Sequence, residues 1–284
     1  MKEFKDKVAV ITGAASGIGR ALADNCFKEG MKVVLADIEE PALLQAEKEM
    51  KDAGADVLAV VTDVSKAEDV ENLARKTIEK FGAVHLLFNN AGVGGWGPIW
   101  ENTIKDWQWI LGVNLWGVVH GIRTFIPIMI EQDSQCHVVN TASGFGLITG
   151  TGIYGVSKHA VVALTEILAN DLRNNQISNI KVSVLCPGIV NTRILDADRN
   201  RQVEFENEEP LDPEAEAERE EGREKMKAFY ATNMGPDTVA DITFQDIKKN
   251  RIFIVTDNII KGFFQQRSKK IMKAIDAHGE PQRV

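Results

Sequence analysis

Cysteine is scarce in this 284-residue chain: Cys26, Cys136 and Cys186 stand far apart, with no CxxC pair and no Cys/His spacing suited to a metal. An odd, scattered set excludes a disulfide framework and points to structural thiols in a reducing compartment. Basic clusters interleaved with aromatics are missing as well, and the formal charge of -8 argues against nucleic acid as a partner. No run of eighteen consecutive apolar residues occurs, and "MKEFKDKVAV" breaks into a short strand rather than an apolar leader. No membrane span is therefore expected, and the expected location is cytoplasmic. His85, His120, His137, His159 and His278 show no ligand spacing, so they read as structural or surface residues and no metal is expected. A repeat of fixed period is absent too.

What is present begins with 44% hydrophobic residues, enough to fill a core. Continuous apolar runs, "KVAVIT", "MKVVLAD", "DVLAVVTD", "VHLLFNNAG", "CHVVNTAS" and "IKVSVLCPG", alternate with longer segments of helical period. Such runs suit strands buried on both faces, and the alternation predicts an α/β fold, a doubly wound parallel sheet flanked by helices in a single domain over 1–284. Helix starts are marked by Pro41 after Glu39 and Glu40, and by Ser65 with Glu68 three residues later.

Two segments break the pattern. Residues 196–227 hold thirteen acidic and six basic residues, a net of -7 that accounts for most of the chain's charge. Their second half, after Asp212 and Pro213, reads as a capped helix with Glu221 and Lys225 spaced for an ion pair. A solvated surface helix is the plain reading of the charges, and a substrate lid over 193–230 is the functional one. The tail, 259–284, is a mildly basic helix expected to pack on the domain edge, with a membrane-surface or partner helix as the alternative.

The chemistry starts at "AVITGAASGIGR". Gly13, Gly17 and Gly19 fall where a first strand turns into a helix, so backbone amides at the helix N-terminus can meet a pyrophosphate. The second strand ends at Asp37, eighteen residues past Gly19, where a carboxylate can accept both ribose hydroxyls of an adenosine. A 2'-phosphate would be repelled there, and Ala15 and Ile38 supply no cation to receive it. The coenzyme expected is NAD. Further along, Tyr154 and Lys158 lie one helical turn apart, with Ser143 upstream at the end of the fifth strand. Moving a hydroxyl proton as hydride leaves the carbinol carbon needs one group that is both acid and base. Tyrosine titrates near 10, so work at neutral pH asks for a downward shift of about 3 units, roughly 4 kcal/mol. The Lys158 ammonium is the expected source, and the Ser143 hydroxyl can hold the substrate oxygen.

Taken together, Thr12-Gly13 to Gly19, Asn89-Asn90-Ala91-Gly92, Asn114, Ser143, Tyr154-x-x-x-Lys158 and Pro187-Gly188 resemble the motif set of the classical short-chain dehydrogenase/reductase family over roughly residues 6 to 192. The resemblance implies one Rossmann domain with seven parallel strands, the seventh around "RIFIVT". It implies a coenzyme held by Gly13, Ser16, Gly17, Ile18 and Gly19 at the phosphates. Asp37, Ile38, Asp63, Val64, Asn90, Ala91 and Gly92 would serve the adenosine side, and Tyr154, Lys158, Pro187, Gly188, Val190 and Thr192 the nicotinamide side. Asn114 would join a water-mediated proton relay through Lys158, with a structural helix kink as the other account.

Trp96, Phe145, Leu147, Ile148, Ile189 and Leu195 fall in loops expected to rim the crevice, which predicts an apolar, bulky substrate, hydroxysteroid-like or another lipophilic alcohol. The segments "WQWILGVNLWGVVHGIRTFIPIMI" and "YGVSKHAVVALTEILANDL" are apolar on more than one face, which predicts a homotetramer or homodimer. The expected function is an NAD-dependent interconversion of a secondary alcohol and a ketone. Two alternatives are a non-catalytic NAD-binding regulator and a nicotinamide-dependent epimerase or dehydratase.

Overall fold

Seven short, mostly apolar runs form the sheet. A computed structural model of the chain describes residues 1–95, 97–207 and 213–277. In chain order the strands are β1 (Val8–Thr12), β2 (Lys32–Asp37), β3 (Val57–Val61), β4 (Leu86–Asn89), β5 (Cys136–Thr141), β6 (Ile180–Cys186) and β7 (Phe253–Val255). All pairings are parallel, in the order β3-β2-β1-β4-β5-β6-β7, with Val10 opposite Val34 and Leu87, and Cys186 opposite Val255. The order reverses between β1 and β4, so a crevice opens beyond their carboxyl ends, where open sheets of this kind bind ligands. This is the doubly wound parallel sheet the apolar runs predict.

Helices cover both faces because parallel strands need crossover connections. On one side α1 (Gly17–Lys28), α2 (Glu40–Asp52) and α8 (Pro236–Lys248) bring Leu22, Leu43 and Phe244 against Leu35 and Phe88. On the other, α3 (Ala67–Phe81), α5 (Gly117–Glu131) and α6 (Gly152–Asn174) bring Leu73, Phe125 and Leu172 against Val34, Leu87 and Val138. Each such fully buried side chain contributes about 1.5 to 3 kcal/mol. One helical stretch, Ile104–Glu131, is long and apolar enough to cross a membrane by length and composition. It comprises α4 (Ile104–Leu111), a π-helical turn (Gly112–Trp116) and α5, and α5 packs against α3 and β4.

Local starts differ in part from their expected form. Pro41 does sit in the first turn of α2. Ser65, however, is not the cap of α3: Lys66 occupies that place without a side-chain bond, and the Ser65 hydroxyl turns back to Asp63 at 2.6 Å. A capping box does form at α4, where Thr103 and Asp106 exchange bonds, at a place the sequence reading passed over. Beyond β6 the chain makes two short 3-10 segments, Arg193–Asn200 and Val203–Phe205, and then α7 (Pro213–Ala231). The proposed cap Asp212 lies outside the described residues, as does His278. The final helix, α9 (Lys261–Asp276), buries no residue, so the packed domain-edge helix expected of the tail is not what forms. Its Phe263, Ile271, Met272 and Ile275 stay exposed.

Candidate active site

The turn between β1 and α1 is built by stereochemistry. Gly13 and Gly17 adopt φ of 67° and 56°, and a Cβ on Gly19 would lie 2.0 Å from the Gly13 carbonyl oxygen. The cap residue Ser16 has extended backbone and no side-chain bond to the helix, so its hydroxyl does not occupy the first-turn amides. Thr12 ties the turn to β4: its hydroxyl donates to the Phe88 carbonyl at 3.3 Å and accepts from the amides of Asn90 and Ala91 at 2.9 and 3.0 Å. Asp37 closes the far side, one oxygen accepting from the Ala15 amide at 2.9 Å and the other from the Glu39 amide at 3.0 Å. Burial raises its pKa, with those amides opposing the shift. A carboxylate held this way keeps acceptor capacity for hydroxyl donors.

At the end of β5, Ser143 caps a 3-10 turn, Gly144–Gly146, by accepting from the Phe145 amide at 3.2 Å. The Tyr154 phenol, in the first turn of α6, shares a hydrogen bond with the Ser143 hydroxyl. One turn on, Lys158 is 3% exposed; its ammonium donates to the Thr141 carbonyl at 3.0 Å and lies 5.5 Å from the Tyr154 ring centre. Burial pushes Lys158 down to about 8 and Tyr154 up to about 12, the Ser143 bond opposing the latter. The downward shift expected for Tyr154 is thus absent from this site. The phenol is short of solvation, while Lys158 gives one donor to Thr141 and is itself desolvated.

Asn114 sits inside the π-helical turn, fully buried. Its side chain accepts from the Val93 amide at 2.8 Å and donates to the Val93 carbonyl and to the Ser157 hydroxyl, both at 3.0 Å. Ser157 in turn donates to the Tyr154 carbonyl at 2.7 Å, so Asn114 braces the start of α6 one layer behind the cavity. Gly92 lets the two meet: a Cβ there would lie 3.3 Å from the Lys158 ammonium and 3.4 Å from the Asn114 oxygen.

One cavity of about 350 Å³ collects these groups. Gly13, Ser16, Gly17, Ile18, Gly19, Asp37, Ile38, Asp63, Val64, Asn90, Ala91 and Gly92 line it, with Ser143, Tyr154, Lys158, Pro187, Gly188, Val190 and Thr192. Phe145, Ile148 and Ile189 reach it as well. Leu195 and Leu147 do not: Leu147 packs with Val161 and Val184 beneath the rim. Trp96 lies outside the described residues. Sequence reasoning passed over several lining groups, including Arg193, Arg199, Gln202, Tyr230, Ile260 and Phe263. All come from beyond Thr192, where no local motif signals which way a side chain points. Tyr230 is brought in by the joining of its helix end to the post-β6 loop, with the Asn191 amide donating to the Met234 carbonyl at 2.9 Å. Among the described residues, no cluster of three metal-ligating side chains exists.

The model of the short chain dehydrogenase family matches residues 7–203. A curated relative, the "CLA biosynthesis dehydrogenase/reductase" of Lactiplantibacillus plantarum, is 38% identical over 98% of this chain and 98% of its own length. The 1-deoxy-11-beta-hydroxypentalenate dehydrogenase of Streptomyces exfoliatus is 39% identical over 66% of this chain and 69% of its own length. A crystal structure of a short chain dehydrogenase/reductase from Burkholderia phymatum in complex with NAD covers 100% of both chains at 43% identity, with a TM-score of 0.91.

Proposed function

This chain belongs to the short chain dehydrogenase family, an oxidoreductase family, and from that membership we propose that it interconverts a secondary alcohol and a ketone with NAD, Tyr154 serving as general acid and base. The observation that carries the reading is the hydrogen-bonded pair of Ser143 and Tyr154 hydroxyls beside buried Lys158, in the same cavity as the glycine turn and Asp37. The cavity fits a dinucleotide: positive-φ glycines make the turn, the Ser16 hydroxyl leaves the helix amides to an anion, and the Asp37 carboxylate suits ribose hydroxyls. NAD, when bound, supplies the hydride acceptor at the carbinol carbon. Ser143 would hold the substrate oxygen, Tyr154 would pass a proton to or from it, and Lys158, beside the phenol ring, would help hold the coenzyme's ribose. Asn114 braces the start of α6, and through it the position of Lys158. A phenol pushed up to about 12 is protonated at neutral pH, the form from which a proton can pass to a ketone oxygen, while alcohol oxidation calls for the phenolate.

The substrate is apolar and bulky in this reading. Phe145, Ile148, Ile189, Ile260 and Phe263 line the cavity, and one relative is named for a hydroxylated substrate, 1-deoxy-11-beta-hydroxypentalenate. Arg193, Ile194, Ala197, Arg199, Asn200, Gln202 and Tyr230 wall it, which supports a lid role for the described part of 193–230. The buried, unpaired Cys26, Cys136 and Cys186 suit a reducing, cytoplasmic setting. The decisive experiment is a screen of alcohols and ketones followed at the nicotinamide absorbance band, with wild type, Tyr154→Phe and a variant lacking 213–225. Tyr154→Phe should bind NADH normally and turn over about a thousandfold more slowly, since the ring stays and the transferable proton is gone. Turnover within about tenfold of the parent removes Tyr154 from its role, and no nicotinamide signal with any substrate favours a binding protein without turnover. An unchanged Michaelis constant for bulky ketones in the deletion variant reduces the lid to a surface insertion.

A homo-oligomer belongs to the same proposal. Trp116, Val156 and Ile167, on the π turn and α6, are exposed, although these helices already bury other faces on the sheet. Light scattering at micromolar protein should give a dimer or tetramer mass, and a monomer mass rejects the proposal.

A further inference from the structure

The Asp37 end of the cavity carries two guanidinium groups that come from the segment after β6. Arg199 Nε donates to Glu39 Oε2 at 3.1 Å, and Arg193 Nη1 lies 3.6 Å from Glu39 Oε1. Both arginines line the same cavity as Asp37 and Ile38. Glu39 stands two residues after Asp37, and its own amide bonds the Asp37 carboxylate at 3.0 Å. The cation that a 2'-phosphate would need is therefore present at this rim, 160 residues from Glu39 in sequence, although Ala15 and Ile38 are apolar. Arg199 is also fixed independently of Glu39, since its Nη1 donates to the Arg193 carbonyl at 3.2 Å and the Asp196 carbonyl at 2.9 Å. Nearby, Gln202 donates to the Asp63 carboxylate at 2.9 Å and Arg201 pairs with Asp106 at 2.7 Å, so the whole 193–205 stretch is strapped across this end of the cleft.

We infer that Glu39 is a positioning residue for coenzyme choice: by engaging Arg199 and Arg193 it keeps two guanidiniums from a 2'-phosphate, so that Asp37 meets the ribose unopposed and the phosphorylated dinucleotide is rejected. The inference rests on the NAD reading above. An arginine fork already satisfied by a carboxylate gains little from a second anion, whereas one left facing an empty rim gains charge-assisted bonds to it. Neutralising Glu39 removes the masking anion and leaves Arg199 held in place by its two carbonyl partners. The rim then turns from closed to receptive toward phosphate, although Asp37 is untouched.

Fluorescence titration of the full chain with NADH and NADPH tests this. Glu39→Gln should tighten NADPH binding by about tenfold while leaving NADH within about threefold. Adding Arg199→Ala and Arg193→Ala to that variant should abolish the gain. An NADPH:NADH ratio unchanged by Glu39→Gln overturns the inference, as does a gain that survives loss of both arginines. Should Glu39→Gln not fold, Glu39→Ala takes its place in the same titration, and an NADPH:NADH ratio equal to the parent's then overturns the inference. A parent that binds neither NADH nor NADPH would instead remove the NAD reading beneath it.

Discussion

Residues 7–192 and residues 193–277 are stabilised in different ways. In the first stretch polar side chains at strand ends are buried and bonded to one another: Asn89 donates to Asn140, Asn140 to Thr165, and Thr165 to the Val161 carbonyl, at 2.8, 3.0 and 2.7 Å. Removing any one leaves a buried partner unsatisfied, so the geometry of the crevice is over-determined. In the second stretch α8 and β7 still join the core, but α7 and α9 lie mostly in water. The Glu221–Lys225 pair forms on exposed α7, where such a pair contributes a few tenths of a kcal/mol, and α9 has no buried residue. α8 and β7 fasten part of the second stretch to the core, whereas 193–205 is held by a handful of long-range ion pairs and bonds, at Glu39, Asp63 and Asp106. The lesson is a division of labour: the sheet half can hold reacting groups to a fraction of an ångström, whereas the later half can set selectivity through a few contacts whose loss leaves the core intact.

A pair of glycine substitutions breaks that comparison most sharply. In Gly19→Ala the new methyl would lie 2.0 Å from the Gly13 carbonyl oxygen and 2.7 Å from Asn90 Nδ2, so the turn must open. Overpacking of this kind costs about 2 to 3 kcal/mol, and NADH binding should fall below detection by fluorescence. Gly222→Ala in exposed α7 meets nothing within 4 Å and replaces a poor helix former, so it should stabilise by about 0.5 to 1 kcal/mol, raising the melting midpoint by about 2 °C. Normal NADH binding in Gly19→Ala, or a melting loss in Gly222→Ala, would undo the contrast.

Acid sensitivity sharpens the same contrast with a smaller effect. His137 on β5 is fully buried, its Nε2 2.7 Å from the Ser183 hydroxyl, and burial lowers its pKa to about 3. Below 6.5 the unfolded chain takes up a proton that the folded chain refuses until about pH 3, so stability is full above 6.5 and drains as pH falls through that window. Half-buried His85, lowered to about 4, adds a smaller share of the same sign. Denaturant titrations at pH 7 and pH 4.5 should differ by about 2 kcal/mol, and His137→Gln should flatten most of that dependence. A pH profile unaltered by the substitution would assign the acid loss elsewhere.

Legibility followed the range of the interactions involved. The apolar strand runs, the glycine turn, Asp37 at the end of β2 and the one-turn spacing of Tyr154 and Lys158 were readable because period, turn stereochemistry and helix geometry act over a few residues. The π-helical turn around Asn114 was not, since an extra residue in a helix leaves no composition signal and follows from Asn114 bonding Val93. Leu147 was misplaced at the rim because an apolar loop residue reads alike whether it faces a cavity or packs under it. The tail was expected to pack on the domain edge because amphipathic period marks a face without saying what covers it.

The amino-acid sequence by itself determined a parallel α/β sheet with its crevice at the ends of β1 and β4, and the set of local motifs that lines it, since these depend on windows of about 30 residues. The tertiary structure alone decided the protonation balance at the centre, where burial acts oppositely on Tyr154 and Lys158. It also decided the company that Asp37 keeps, because Arg193 and Arg199 reach Glu39 only after the chain beyond β6 folds back across the cleft. Solvation and charge pairing depend on distance in space, and no spacing along the chain encodes that distance for residues 160 positions apart.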